Sequence, residues 1–296
     1  MSNLGFRAHD FGSFNTPLEL AEEISKVLTP AYIQLAISKV FNNINDYINL
    51  SVDEAINIKQ SLDSFNIKTA IVGCYINPIH PIEEQREIEW KKFKNALEKA
   101  TYLGCPYVGT ETGITNLNDE CDIETFSEKN LNIFYSFLDS MLNVAQKNNT
   151  VVAIEPVANK HTICSLERTV KMIEKFKCDN LKIIYDGVNL MDKTAIKEAD
   201  GSIQKIPSYS AQKNFHDLIL DELKDEIIAL HIKDFKVDNH GNKIGDLPIG
   251  TGAMNYKALF DSLNHHHINA PRLLEMVDIK TLNQTVIKLS LLDSNN

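Results

Sequence analysis

The sequence predicts a single (β/α)8 (TIM) barrel, of the α/β class, that spans residues 1–296. Eight short apolar runs rich in Val, Ile and Tyr recur along the chain, and longer stretches with helical periodicity separate them. No Gly-rich or Pro-rich linker divides the chain. This alternation is typical of repeated βα units with a parallel sheet. The length also suits one barrel, which typically needs roughly 250 residues.

Each apolar run is interpreted as one barrel strand. The runs begin at Leu4, Tyr32, Lys68, Tyr107, Thr150, Lys182, Ile227 and Arg272. A doubly wound parallel sheet is the alternative that has the same alternation of elements. No G-x-G-x-x-G motif follows the first strand, so the sequence does not support a dinucleotide-binding version of that fold.

Helix signals lie between the predicted strands. Pro17 suits the first turn of a helix, and Ser51 with Glu54 forms a capping-box pattern ahead of an apolar-periodic stretch. Periodic apolar residues predict further helices over 82–103, 131–145 and 281–292. The longest inserts follow the sixth and seventh strands, at 189–210 and 236–252, and are expected at the C-terminal rim of the barrel.

Composition and charge exclude several classes of protein. With 43% hydrophobic and 24% charged residues, the chain is not disordered, collagen-like or a coiled coil. A net charge of -10 argues against binding nucleic acid. The N-terminus lacks the apolar run of a signal peptide, no segment is long enough to span a membrane, and the five cysteines form no C-x-x-C pair. A cytoplasmic protein with free thiols is therefore expected.

Four ionisable residues end predicted strands five to eight: Glu155, Asp186, His231 and Glu275. At the carboxyl end of a barrel strand such a residue lies in the mouth of the barrel. Three carboxylates and one imidazole that converge there suit one divalent ion, and manganese, cobalt, magnesium or zinc would all be acceptable. The alternative is that each residue is a strand end satisfied by caps or ion pairs.

With these residues in this order, the chain resembles the xylose isomerase-like TIM barrels, which include sugar-phosphate isomerases, ketose 3-epimerases, hydroxypyruvate isomerase and inosose dehydratase. The resemblance extends from the first strand to Glu275. It implies that Glu155, Asp186, His231 and Glu275 hold one metal ion. It also implies that Glu155 and Glu275 act as base and acid on opposite faces of a small sugar or sugar derivative, through a metal-stabilised enediolate. The resemblance further implies a homo-oligomer.

Further residues are expected to line the substrate pocket: His9, His80, Glu111, Asn189 and Lys233. Asn189 stands where ketose epimerases usually have a substrate-binding His, and Val237 stands where they have a sugar-contacting Arg. Lys233 lies two residues after His231, on the same strand face. The loop residue His161 could touch substrate or stabilise its loop, whereas His216 is predicted to be a surface or interface residue of a helix.

Three other functions fit the same fold. An inosose-type dehydratase would expel a hydroxyl from the same enediolate. An AP endonuclease shares the barrel, but it would need a basic surface that the acidic chain lacks. A non-catalytic binding protein would have the barrel without the metal. The expected partner is a small carbohydrate, with no nucleic acid and no membrane.

Overall fold

The computed structural model describes residues 3–118, 122–192, 194 and 196–294. Eight parallel strands close into a barrel in the order β1-β10-β7-β6-β5-β4-β3-β2. The barrel strands are β1 (Leu4–Arg7), β2 (Ala31–Leu35), β3 (Ile67–Gly73), β4 (Tyr107–Thr110), β5 (Val151–Ile154), β6 (Leu181–Asp186), β7 (Ile227–Ile232) and β10 (Arg272–Leu274). The predicted (β/α)8 barrel and its eight strands are thereby confirmed, and the doubly wound alternative is wrong.

Helices surround the barrel. They are α1 (Pro17–Ser25), α2 (Ile37–Val40), α3 (Val52–Ser64), α4 (Glu83–Lys99), α5 (Glu128–Asn148), α6 (Leu166–Phe176), α7 (Gly187–Leu190), α8 (Tyr209–Leu223), α9 (Tyr256–His265) and α10 (Leu282–Ser294). The capping box of Ser51 and Glu54 begins α3 as predicted, and Pro17 opens α1 behind the N-cap Thr16.

The second predicted insert folds into a hairpin over the barrel mouth. Its strands are β8 (Asp234–Val237) and β9 (Lys243–Leu247), which pair antiparallel. The Asp234 carboxylate fixes the chain that returns from this hairpin. It accepts hydrogen bonds from the backbone N–H groups of Gly250, Gly252 and Met254, at 2.9 to 3.0 Å.

The helix residue His216 is buried, and the prediction that it lies at the surface is wrong. The hydroxyl of Tyr185 and Nδ1 of His216 are 2.7 Å apart, and the ring fills the space beside Gly187. Burial lowers the pKa of His216 to about 4. Among the cysteines, Cys74, Cys105 and Cys178 are free thiols, whereas Cys121 lies outside the described residues. The assignment of residues 1–296 to one domain stays a prediction.

The barrel interior is filled by one small apolar cluster, separate from the main core: Ala70, Ile71, Ala153, Ile184, Ala229 and Leu273. Gly109 leaves room for this cluster. A Cβ on Gly109 would lie 2.8 Å from both Ile71 Cγ2 and Ile184 Cδ1. The missing side chain therefore permits the packing directly below the barrel mouth.

Gly109→Ala is expected to destabilise the fold by about 1–3 kcal/mol, because a methyl group would overpack the barrel interior. The exposed helix variant Asn143→Ala should change the free energy of unfolding by no more than about 0.5 kcal/mol. Urea unfolding measures both values. Equal stability of the two variants would contradict the packing described above.

Candidate active site

Four strands bring the predicted metal-binding residues to the carboxyl end of the barrel. Glu155 and Glu275 directly follow β5 and β10, Asp186 ends β6, and His231 lies near the end of β7. All four are buried, with relative exposures of 0 to 5%. Burial of a charged group is costly unless the group is paired or binds a metal ion, so these four residues need partners or a ligand.

Three of these residues form a compact cluster of possible metal ligands. One ligand atom each from Glu155, Asp186 and His231 lies within 4.8 Å of the others. Among the described residues, His231 Nδ1 and Asp186 Oδ2 are buried, and their partners are ionic: Glu155 Oε2 at 3.1 Å and Lys233 Nζ at 3.0 Å, respectively. Two carboxylates and an imidazole nitrogen are ligands that divalent cations accept. The residues present therefore fit a divalent ion.

Glu275 lies beside this cluster and is not part of the set within 4.8 Å. Its Oε1 is 3.3 Å from His231 Nδ1 and 3.6 Å from Arg7 Nη1. Its Oε2 is 3.5 Å from Lys233 Nζ. Glu275 and Glu155 thus approach the same imidazole nitrogen, with Glu155 Oε2 at 3.1 Å.

The opposed charges of the cluster shift its pKa values in different directions. Burial raises the pKa of Asp186 to about 6, although the Lys233 ammonium opposes this shift. Burial also disfavours the charged form of Glu155, but His231 and Lys233 outweigh that effect and lower its pKa to about 2. For His231 the desolvation cost is outweighed by Glu155 and Glu275, which raise its pKa to about 9. Glu155 is therefore ionised at neutral pH.

Two residues that the sequence analysis did not select hold Glu155 and His231 in place. The Tyr75 hydroxyl donates to Glu155 Oε2 at 2.8 Å. Gln34 Oε1 contacts His231 Nε2 through a short hydrogen bond. Asn189, which was predicted to contact substrate, donates from Nδ2 to Glu155 Oε1 at 2.7 Å. Gln34 has a sequence signal, because it is a polar residue within the apolar strand YIQLAI.

Gln34→Met is expected to weaken manganese binding by about 10–100-fold, the usual cost of removing a partner that orients a ligand. A cation would displace the proton from Nδ1, and the remaining proton on Nε2, held by Gln34, would direct the Nδ1 lone pair at the cation. Gln34→Glu keeps an acceptor at this position and should bind more tightly than Gln34→Met. Calorimetric titration with manganese measures the affinities, and the exposed Gln204→Met variant is the control. Unchanged affinity in Gln34→Met would remove this orienting role.

The cluster opens into a cavity of about 520 Å³. Four of the five residues predicted to line the pocket do so: His9, Glu111, Asn189 and Lys233. His80 is not among the lining residues, and its Nδ1 accepts a hydrogen bond from the Ile82 backbone N–H at 3.2 Å. The ring of His80 thus closes a turn outside the cavity lining, and a substrate contact of His80 stays a prediction.

Lys233 lines the cavity, and its ammonium group contacts three carboxylates. Its Nζ is 3.0 Å from Asp186 Oδ2 and 2.6 Å from Asp246 Oδ1, in addition to its contact with Glu275. These carboxylates raise the pKa of Lys233 well above its usual value in spite of its burial. Lys233 therefore remains a cation at the wall of the cluster.

His9 and Glu111 complete the predicted lining. Burial, together with the charges of Arg7 and Lys39, lowers the pKa of His9 to about 3, so its imidazole is neutral. Desolvation and the neighbouring Glu155 raise the pKa of Glu111 to about 8. Glu111 Oε2 lies 3.7 Å from His161 Nε2, and His161 also lines the cavity. The cavity therefore offers both neutral and charged hydrogen-bonding groups.

The chain belongs to the xylose isomerase-like TIM barrel family, whose model matches residues 31–290. No curated protein matches the sequence significantly. Among solved structures it is similar to the 3-keto-D-glucoside 4-epimerase YcjR of E. coli, with 17% identity, a TM-score of 0.69 and coverage of 98% of this chain and 100% of that one.

Two further solved structures are similar over nearly the whole chain. One is the IolI protein with a bound zinc atom, with 17% identity, a TM-score of 0.65 and coverage of 98% of both chains. The other is the probable 3-DHS dehydratase AsbF of Bacillus anthracis, with 14% identity, a TM-score of 0.68 and coverage of 100% of both chains. Within the described part of this chain, no helix has the length and apolarity needed to cross a membrane.

Proposed function

We propose that the protein is a divalent-metal-dependent isomerase or epimerase of a small sugar or sugar derivative. The observation that carries the proposal is the pair of carboxylates Glu155 and Glu275, which meet one imidazole nitrogen at the base of the cavity. The proposal also draws support from family membership and from the sugar epimerase among the similar structures. A cavity of about 520 Å³ is large enough for a monosaccharide.

Glu155, Asp186 and His231 would hold the cation, with Glu275 as a fourth ligand, as the family resemblance implies. A bound divalent cation would polarise a substrate carbonyl and stabilise the negative charge that develops when the neighbouring carbon loses a proton. Glu155 is ionised at neutral pH, and it would accept that proton in the role that the family resemblance implies. Tyr75 and Asn189 fix both of its oxygens.

Glu275 would deliver a proton from the other side of the substrate. Return of the proton to the same carbon on the opposite face is epimerisation, and return to the adjacent carbon is isomerisation. The hydroxyls of the substrate would meet the neutral His9, Glu111, Asn189 and the Lys233 ammonium.

Solvent deuterium exchange tests the proposal directly. The manganese-loaded protein is incubated in D2O with ketoses, aldoses and inososes, and proton NMR detects loss of the signal at the carbon next to the carbonyl. Catalysed exchange into at least one sugar, with a stereoisomer or positional isomer as product, is expected. No exchange with any sugar of the panel, from a protein that contains one ion per chain, would reject the proposal.

A dehydratase is the second candidate function. The observation that favours it is the carboxyl group of Glu111 in the cavity. This carboxyl lines the cavity beside His161, and a pKa of about 8 keeps it protonated at neutral pH. A protonated carboxyl group could donate its proton to a departing hydroxyl. Mass spectrometry separates the two functions, because dehydration lowers the product mass by one water and isomerisation leaves the mass unchanged.

A further inference from the structure

Cationic side chains are concentrated in the candidate active site, although the chain as a whole is acidic. Five of them line the cavity: Arg7, Lys39, Lys160, Lys233 and Lys243. Arg7 and Lys233 have carboxylate partners, since Arg7 pairs with Asp10 at 2.8 Å and Lys233 contacts three acidic residues. These two charges are therefore balanced within the protein.

Lys243 differs from them, because no carboxylate of the described residues forms an ion pair with it. Lys243 is the first residue of β9, and the hairpin brings it to the wall of the cavity. Its Nζ donates to the carbonyl oxygens of Val188 at 2.6 Å and Met191 at 3.0 Å. An ammonium group has three N–H donors, so one donor of Lys243 remains for a ligand.

The surroundings make this charge costly in the absence of a ligand. Burial lowers the pKa of Lys243, although the more distant carboxylates of Asp186, Asp246 and Asp192 oppose this shift. Its partners within hydrogen-bond distance are neutral carbonyl groups. Asp246 lies on the same strand, but its carboxylate contacts Lys233 at 2.6 Å. At the rim, Lys39 also lacks a carboxylate partner among the described residues, and its Nζ lies 5.9 Å from the centre of the Tyr75 ring. An anion in the cavity would compensate both charges.

We propose that the substrate carries an oxyanion, a carboxylate or a phosphate, and that Lys243 binds this group. The inference rests on the function proposed above, since it concerns the same cavity. A charge-assisted hydrogen bond from Lys243 to an oxyanion is shorter and stronger than one to a neutral hydroxyl. A substrate with an acidic group would therefore bind more tightly than its neutral counterpart.

A merely structural role for Lys243, in which it holds the two carbonyls at the end of α7, makes a different prediction. Loss of such a role would change stability, or weaken neutral and anionic ligands equally. Only a binding role makes the preference for anions depend on Lys243. The preference itself, and not affinity alone, is therefore the quantity to measure.

Isothermal titration calorimetry measures the preference with matched probes. D-fructose is compared with D-fructose 6-phosphate for the phosphate source and with D-fructuronate for the carboxylate source, in metal-free and manganese-loaded protein. We expect one of the two anions to bind the wild type at least tenfold more tightly than D-fructose. Lys243→Met should reduce this ratio to about one, and Lys243→Arg should retain most of it. Lys236→Met, an exposed change in the same hairpin, should leave the ratio unchanged.

Thermal unfolding of each variant confirms that it is folded before titration. The inference is overturned if neither anion binds more tightly than D-fructose, or if folded Lys243→Met keeps the preference. Deuterium exchange separates this failure from failure of the proposed function. Exchange without a Lys243-dependent preference rejects only the inference, whereas a Lys243-dependent preference without exchange of any sugar rejects only the proposed function.

Discussion

Glu275→Gln is expected to slow solvent deuterium exchange into the substrate by about a thousandfold, within the range that a positioned acid or base contributes. Gln has nearly the same size as Glu, but its amide does not transfer protons at neutral pH. Glu275 makes looser contacts than Glu155, at 3.3 Å to His231 Nδ1 and 3.5 Å to Lys233 Nζ. Its carboxylate is therefore less constrained and available to a substrate.

The metal content of the same variant separates two explanations for the loss. If Glu275→Gln retains one manganese ion per chain and loses exchange, its role is proton transfer. If it loses both, its role is that of the fourth ligand that the family resemblance implies. Glu174→Gln, an exposed change on α6, serves as the control and should retain both properties. Wild-type exchange rates in Glu275→Gln would reject both roles.

The alternation of side chains along barrel strands explains why sequence could locate the central residues. Glu155, Asp186, His231 and Glu275 each lie two positions after an apolar residue of the barrel interior. The preceding residues are Ala153, Ile184, Ala229 and Leu273. Successive strand residues point to opposite faces, so a residue two positions further continues the interior face into the mouth. A charged residue at this position interrupts the apolar pattern of the strand, so a single sequence is enough to identify it.

Other parts of the site depend on contacts that one sequence does not reveal. Tyr75 follows β3 and reaches Glu155, which follows β5. An isolated Tyr has no pattern that distinguishes it from a core residue. Lys243 and Asp246 reach the cavity only because the insert folds into a hairpin anchored by Asp234. His80 lies outside the cavity lining, since a His after a strand also suits a turn. Local spacing predicts strand ends, but not the path of an insert.

The double variant Glu155→Gln, Asp186→Asn is expected to lose manganese binding altogether. Its two carboxylates are fully or almost fully buried, at 2% and 0% exposure, and they form the compact cluster with His231. Amides of similar size remove both negative charges while they preserve the packing volume. Elemental analysis after equal loading and desalting should find one ion per chain in the wild type and none in the variant. One ion in each would show that manganese binds elsewhere.

Thermal unfolding gives an independent measure of the same site, because a ligand that binds only the folded state stabilises that state. Manganese at a hundred times its dissociation constant should stabilise the wild type by about 2.7 kcal/mol. The double variant should gain nothing, whereas the exposed double variant Asp139→Asn, Glu174→Gln should gain as much as the wild type. The same gain in all three proteins would attribute the stabilisation to other carboxylates. If only the Glu155→Gln, Asp186→Asn variant loses the stabilisation, manganese binds at the buried cluster, since both double variants remove the same number of negative charges.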